Sequence, residues 1–252
     1  MNKIHLSLIF ILTAVLFMRC NKAEDLQSDA LNDYFNLEPG KYILYKLDST
    51  ITLSFGAGFT VHKYQAKDVI DAPITDNLGR LGWRVLRYLR DSASNSETDW
   101  KPNSTYMIMS TRETVEVIEN NLRFQKLKLP VTEGFTWKGN AYISLYSNDP
   151  NWDYRYLSDW DYTYEQVGSP FVLPGSPTVD STLTVTHRDE TLGTPNNRDL
   201  YSERTFSKEV YGKRIGLIYK DFLHWVFQPR TSSFPNGYIE GYGIRLRMIG
   251  HN

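Results

Sequence analysis

Residues 114–127, TVEVIENNLRFQKL, hold the pattern that decides the fold. Two short runs, Thr114 to Glu119 and Leu122 to Leu127, are joined by Asn120-Asn121 alone. Asn tolerates positive φ, and a two-residue link with both residues at positive φ is a tight hairpin turn. The same arrangement of short runs separated by turn residues extends through the chain. Lys41 to Leu47 reads as a strand with Ile43, Tyr45 and Leu47 on one face. Phe55-Gly56-Ala57-Gly58-Phe59 reads as a glycine-rich turn, followed by strands near 60–70 and 83–89. Asp91 to Ser104 is polar, contains Pro102 and reads as a loop. Further strands are expected at 105–110, 161–167, 181–188, 202–211, 215–227 and 238–249, with a strand pair or a bulged strand over 135–145. Helical periodicity is nearly absent, apart from a short helix expected within 26–35, so parallel βαβ units are excluded. The expected fold is all-β: an antiparallel barrel, half-barrel or sandwich of about 10–12 strands. It forms one domain over 37–252, preceded by a signal peptide over 1–19 and a tether over 20–36.

The leader supports that division. Asn2-Lys3 precede an apolar run from Ile4 to Met18, which suits a secretory h-region and is short for a bilayer span. Cys20 follows at once and is the only cysteine, so it has no partner for an intrachain disulfide. Leu16-Phe17-Met18-Arg19-Cys20 resembles a bacterial lipobox, with Arg19 where a small residue is usual. The resemblance implies that Cys20 is the lipid attachment site and that the membrane is reached through this N-terminal lipid. Asn21-Lys22-Ala23-Glu24-Asp25 resembles the surface-export signal of Bacteroidota lipoproteins, and also suits a plain solvated tether.

Without residues 1–19 the chain carries 26 Lys+Arg against 29 Asp+Glu. That balance lacks the basic footprint of a nucleic-acid binder. Seventeen Tyr and six Trp favour strands and half-wet surfaces.

Three stretches together resemble uncharacterised Bacteroidota outer-membrane lipoproteins. They are Tyr34 to Tyr42, then Glu119 to Phe124 with Thr136 to Asn140 downstream, and Tyr211 to Lys220 with His224-Trp225. The resemblance implies a lipid-anchored, all-β envelope protein at the outer membrane, exposed at the cell surface if the export signal acts. It implies no activity. Ile215-Gly216-Leu217-Ile218 is also similar to a turn in half-barrel lipoproteins that carry lipids. Asp48-Ser49-Thr50, Asp91-Ser92-Ala93 and Asp180-Ser181-Thr182 resemble the O-glycosylation triplet of Bacteroidota envelope proteins.

The stretch most suggestive of a ligand is 149–165, DPNWDYRYLSDWDYTYE. Aromatic faces stack on sugar rings and carboxylates bond hydroxyls, so Trp152, Asp153, Tyr154, Tyr156, Trp160 and Asp161 are candidate binding residues. The alternative is a surface loop running into an alternating strand. Asp149-x-Asn151-x-Asp153 starts like a calcium loop, but Tyr154 and Trp160 occupy the places of its Gly and Glu. Two of these acids as a glycosidase pair would need to face each other across a cleft. His187 shares a strand face with Leu183 and Val185, and His224 with Phe222 and Val226, the usual setting of a core or rim histidine. Arg80, Arg84, Arg87 and Arg90 offer either an anionic-headgroup site or a face paired with nearby acids. No zinc spacing, nucleophile elbow or phosphate loop occurs, so no metal, cofactor or catalytic residue is expected.

These features lead to a lipid-anchored envelope protein with a non-catalytic binding or accessory role, acting on an envelope partner. One alternative is a carrier of an apolar ligand inside a barrel. Another is a surface protein binding or hydrolysing glycans through 149–165.

Overall fold

The computed structural model describes residues 30–143, 156–175, 177–195 and 197–252. Twelve strands follow one another: β1 (Tyr42–Thr52), β2 (Phe59–Thr75), β3 (Leu81–Asp91), β4 (Lys101–Ser110), β5 (Thr114–Glu119), β6 (Leu122–Lys128), β7 (Thr136–Lys138), β8 (Asp161–Val172), β9 (Thr178–Gly193), β10 (Ser202–Gly212), β11 (Gly216–Gln228) and β12 (Tyr238–His251). They form one antiparallel sheet in the order β6-β5-β4-β3-β2-β1-β12-β11-β10-β9-β8-β7. Every neighbour except β1–β12 is consecutive in sequence, so the sheet is a meander that curls into a nearly closed barrel. The all-β antiparallel expectation holds.

The opening stretch folds as its sequence dictates. Asn120 and Asn121 have φ of 53° and 61°, and β5 pairs with β6 from Glu119↔Leu122 outward. Positive φ at both central residues matches the twist of a two-residue hairpin. Between Val115 and Glu116 the register shifts by a bulge, which bends the strand locally.

The barrel is shut by a seam rather than a ladder. The Gln125 amide donates to the Gly139 carbonyl at 2.7 Å, and the Trp137 indole donates to the Gln125 carbonyl at 2.8 Å. The Tyr164 hydroxyl accepts from the Lys128 amide and donates to the Lys128 carbonyl. These bonds occupy backbone groups that an edge strand would otherwise leave open.

Alternation places Val85, Ile108, Val115, Leu127, Trp137, Tyr164, Leu183, Val185 and Tyr211 in one interior cluster. Leu31 and Tyr34, from a 3-10 turn at Leu31–Tyr34, join the same cluster. Asn32 accepts from Ser110 at the end of β4, and the Asp33 carbonyl accepts from the Arg214 amide between β10 and β11. The chain therefore enters at one end of the barrel and plugs it. We call this the proximal end. The antiparallel order puts the β1–β2, β3–β4, β5–β6, β9–β10 and β11–β12 turns at the opposite, distal end.

The strands β2, β8 and β9 run longer than the expected 60–70, 161–167 and 181–188, and two further stretches depart from the sequence reading. Of the strand pair or bulged strand expected over 135–145, the described residues up to 143 form β7 alone, because the chain leaves the sheet at Gly139, where the Tyr162 ring takes the space of a side chain. Buried Asn140 then holds the departing loop, donating to the Leu157 carbonyl and accepting from the Tyr162 hydroxyl at 2.6 Å. The second difference is Pro102, expected in a loop but lying within β4. It pairs with Tyr88 where the β3–β4 register shifts, and a bulge tolerates the missing donor.

Candidate functional site

Inside the barrel, side chains of six strands carry an alternating series of charges. Asp68 of β2 accepts two bonds from Arg87 of β3, at 2.7 and 2.6 Å, and a third from the Tyr106 hydroxyl. Arg87 also stands 3.6 Å from Glu119 at the end of β5. Lys126 of β6 donates to Glu209 of β10 at 2.9 Å across the barrel. Lys220 of β11 lies 3.6 Å from the same oxygen of Glu209, and Tyr211 donates to its other oxygen at 2.7 Å. Acid and base thus alternate from Asp68 to Lys220.

Burial sets the protonation states. Glu209 is 2% exposed. Burial alone would push its carboxyl up, but the charges of Lys126 and Lys220 outweigh that and hold it below the ordinary carboxylate range. Burial draws Lys126 down while Glu209 restrains the fall. His187 is equally buried, and desolvation lowers it well below its ordinary value against the pull of Glu209, so it is neutral at pH 7. Burial also favours the charge-free form of Arg87, yet Asp68 more than compensates and keeps it charged. His187 stacks on Tyr162 with centroids 3.8 Å apart, and its Nδ1 lies 2.9 Å from Ser207 Oγ.

The cluster borders a cavity of about 140 Å³ lined by Phe124, Lys126, Trp160, Tyr162, His187 and Lys220, among others. Exposed Asn120 and Tyr242 also line it, so it opens at the distal end.

The distal end has an apolar exterior. Phe55, at the β1–β2 turn, is 87% exposed and has a φ of 59°. Leu53 beside it, Leu200 and Tyr201 before β10, and Phe234 before β12 are exposed as well. These turns belong to neighbouring strand pairs. Below them an open groove of about 530 Å³ runs over Phe59, Val61, Phe206, Leu223 and Trp225 on the outer face. Gly241 and Gly243 give β12 no side chain there; a Cβ on Gly241 would sit 2.5 Å from Trp225 Cα.

No protein-family model matches the chain, and no curated protein matches it. Among solved structures, it is similar to a Bacteroides fragilis protein with a YmcC-like fold that carries only a provisional assignment as exported. The likeness covers 86% of this chain and 98% of that one, at 10% identity and a TM-score of 0.29. An overlap this loose carries no argument about function.

The residues singled out in the sequence are distributed unevenly. Cys20, Trp152, Asp153 and Tyr154, with the calcium-like start at Asp149, lie outside the described residues. Trp160 is 2% exposed, and its indole donates to the Tyr156 carbonyl. It is thus a core residue that presents one side to the cavity. Asp161 is on the surface, paired with Lys138 at 3.0 Å. Tyr156 stacks on His224 at 3.8 Å, and its hydroxyl is 2.7 Å from that of Tyr242. Among the described residues no group of His, Cys, Asp or Glu is arranged to hold a metal ion. The arginines follow the paired-face alternative: Arg80 with Asp76, Arg84 with Asp71, Arg87 with Asp68 and Arg90 with Glu97.

Sequence reasoning passed over Lys126, Glu209 and Lys220. The available signal was alternation. Thr205, Ser207 and Glu209 are polar at every second place of β10, on the face that also carries Tyr211. A run of that kind on an inward face marks a polar barrel interior.

Proposed function

We propose that this is a lipid-anchored protein of the outer membrane with a non-catalytic role, docking another envelope component on its distal apolar surface. The observation that carries this reading is the set of exposed apolar residues on adjacent distal turns, on strands whose outer face also carries an open groove. Large apolar side chains exposed together on neighbouring turns are the kind of surface that docks a partner. Position supports the same reading. Nine residues lie between Cys20 and Ala30, so the two are at most roughly 35 Å apart. It leaves from the proximal end, so the distal end faces away from the anchoring membrane.

The carrier reading has less support. Side chains fill the barrel, and a cavity of about 140 Å³ falls short of the roughly 300–1,000 Å³ of an ordinary small-molecule site. Catalysis on glycans through 149–165 gains nothing from Asp161 and Trp160, one tied to a lysine and the other in the core.

The test compares three forms after gentle detergent extraction and affinity capture with mass spectrometry: wild type, Cys20→Ala, and Phe55→Ser combined with Phe234→Ser. Wild type should remain with membranes and retain a stoichiometric partner. Cys20→Ala should leave the membrane fraction, and the double variant should stay on the membrane without its partner. Membrane retention of Cys20→Ala would overturn the anchor, and partner capture undiminished by the distal substitutions would overturn the docking surface.

A further inference from the structure

The proximal end carries exposed apolar side chains of its own. Leu78 is 77% exposed and Leu81 60% exposed, both on the β2–β3 hairpin. The last ladder pair of β2 with β1 is Tyr42↔Val69, yet β2 runs on to Thr75, so the hairpin projects past the start of β1. Its turn is firmly built. One carboxylate oxygen of Asp76 accepts from the Leu78 and Arg80 amides, each at 2.9 Å, and the other accepts from Arg80 Nε at 2.8 Å. Gly79 supplies the positive φ, 75°. Leu78 gives this turn its amide, while its side chain points into water. Turns favour Gly, Asn, Asp and Ser, so the turn itself has no need of a leucine at its tip.

A second apolar feature lies beside the hairpin. An open groove of about 530 Å³ runs between the entering chain and the ends of β3 and β4, with Phe35, Leu37, Leu81 and Trp83 among its walls. Asn32 lines the same groove, two residues after Ala30. Nine residues lie between Cys20 and Ala30, so a lipid on Cys20 is held within roughly 35 Å of this end. The surrounding rim is balanced in charge: Arg80 is paired with Asp76, Lys213 with Asp33, and exposed Arg112 is followed by exposed Glu113. Protruding leucines, a half-buried tryptophan and balanced charges suit the boundary of a lipid bilayer. There an apolar side chain enters, an indole lies at the interface and paired charges stay among headgroups.

We propose that the proximal rim is a membrane-seating surface, with Leu78 and Leu81 entering the interfacial layer of a zwitterionic bilayer and Trp83 at headgroup level. The short connection to Cys20 selects this occupant, because it brings lipid to this end of the barrel. The inference rests on the lipid anchor proposed above and adds which face of the barrel meets the membrane.

The experiment uses the protein as extracted from membranes, reconstituted in phosphatidylcholine vesicles, with a fluorophore on a single introduced thiol: Leu78→Cys, Arg112→Cys or Phe55→Cys. Wild type is labelled first. Acylated Cys20 should take no label; a chain that labels there, or stays outside the vesicles, loses the anchor and this inference with it. In an anchored chain, phosphatidylcholine brominated near the headgroup end of its acyl chains should quench the reporter at position 78 roughly threefold or more over that at position 55, since interfacial groups reach about 5–10 Å into the boundary. With the reporter at position 112, Leu78→Ser combined with Leu81→Ser should abolish most of the quenching; both leucines are exposed, so the fold is not at risk. Quenching at position 78 no greater than at position 55, or quenching at position 112 undiminished by the two serines, would overturn the seating surface while leaving the anchor in place.

Discussion

His187 and Glu209 occupy the same buried cluster, yet they act on stability in different pH windows. His187 is held neutral in the fold by desolvation, so its folded-state pKa lies below the ordinary value. As pH falls below about 6.5, the unfolded chain takes up a proton that the folded chain refuses. Stability is therefore lost on acidification from that point. Glu209 is also depressed, by the lysines around it. Its contribution is fully present above about 4.3 and is lost only as pH drops through its lower folded value. Denaturant midpoints measured between pH 7 and 5 should fall for wild type and fall less for His187→Gln. A smaller part of the slope belongs to His224, which burial also lowers. An identical slope in His187→Gln would show that His187 is not the group titrating. The lysine side of the cluster makes a second prediction. Lys126→Met removes the one cation hydrogen-bonded to Glu209 and leaves it Tyr211 and the more distant Lys220; breaking a buried pair costs about 3–5 kcal/mol. Equilibrium unfolding should register a loss of that order.

At the scale of the element, the β5–β6 hairpin and the β6–β7 seam respond in opposite ways to small changes. Asn121, at a φ of 61°, sits where Gly is the easiest residue and a β-branched one is strained. Asn121→Gly should be neutral or slightly stabilising, while Asn121→Val should cost about 1–2 kcal/mol; both are read from chemical-denaturation midpoints. The seam depends on one hydroxyl. Tyr164→Phe removes both of its bonds to Lys128 and leaves two backbone groups to find water. The expected cost is about 1–3 kcal/mol. In hydrogen exchange, amides of β6 should open before those of β1 and β12, which have ladders on both sides. Uniform exchange across the sheet would mean the seam is not its weakest line. These two features also mark what the sequence could reveal. The hairpin was legible because Asn-Asn between alternating runs has one geometric use. The seam was not, because it joins residues 122–128 to 137–164 through an indole, a hydroxyl and one amide, none of which leaves a periodic trace. The interior cluster was hidden for a related reason. Glu209 and Lys220 face each other in the β10–β11 hairpin, but only closure of the sheet brings Lys126 of β6 within bonding distance of Glu209.

For the whole molecule, polarity along the barrel axis is the organising fact. The proximal end is plugged by Leu31 and Tyr34, while the distal end holds the cavity mouth and the exposed apolar turns. Phe55 is where stability and the proposed docking role conflict. It is a bulky residue at a φ of 59°, a conformation that favours Gly, Asn and Asp, and it exposes nearly all of its ring to water. Neither property helps the isolated fold. Phe55→Asn suits the same backbone and removes an apolar group from the surface. It should leave stability unchanged or raise it, by up to about 1 kcal/mol. If the distal turns dock a partner, the same substitution should weaken that association, the usual direction of trade between stability and function. Thermal unfolding of the purified variant and its capture from membranes separate the two effects. A variant that is more stable and still fully associated would remove Phe55 from the docking surface. One that is less stable would mean that the ring makes contacts supporting the fold, and that the strain at Phe55 serves the turn itself.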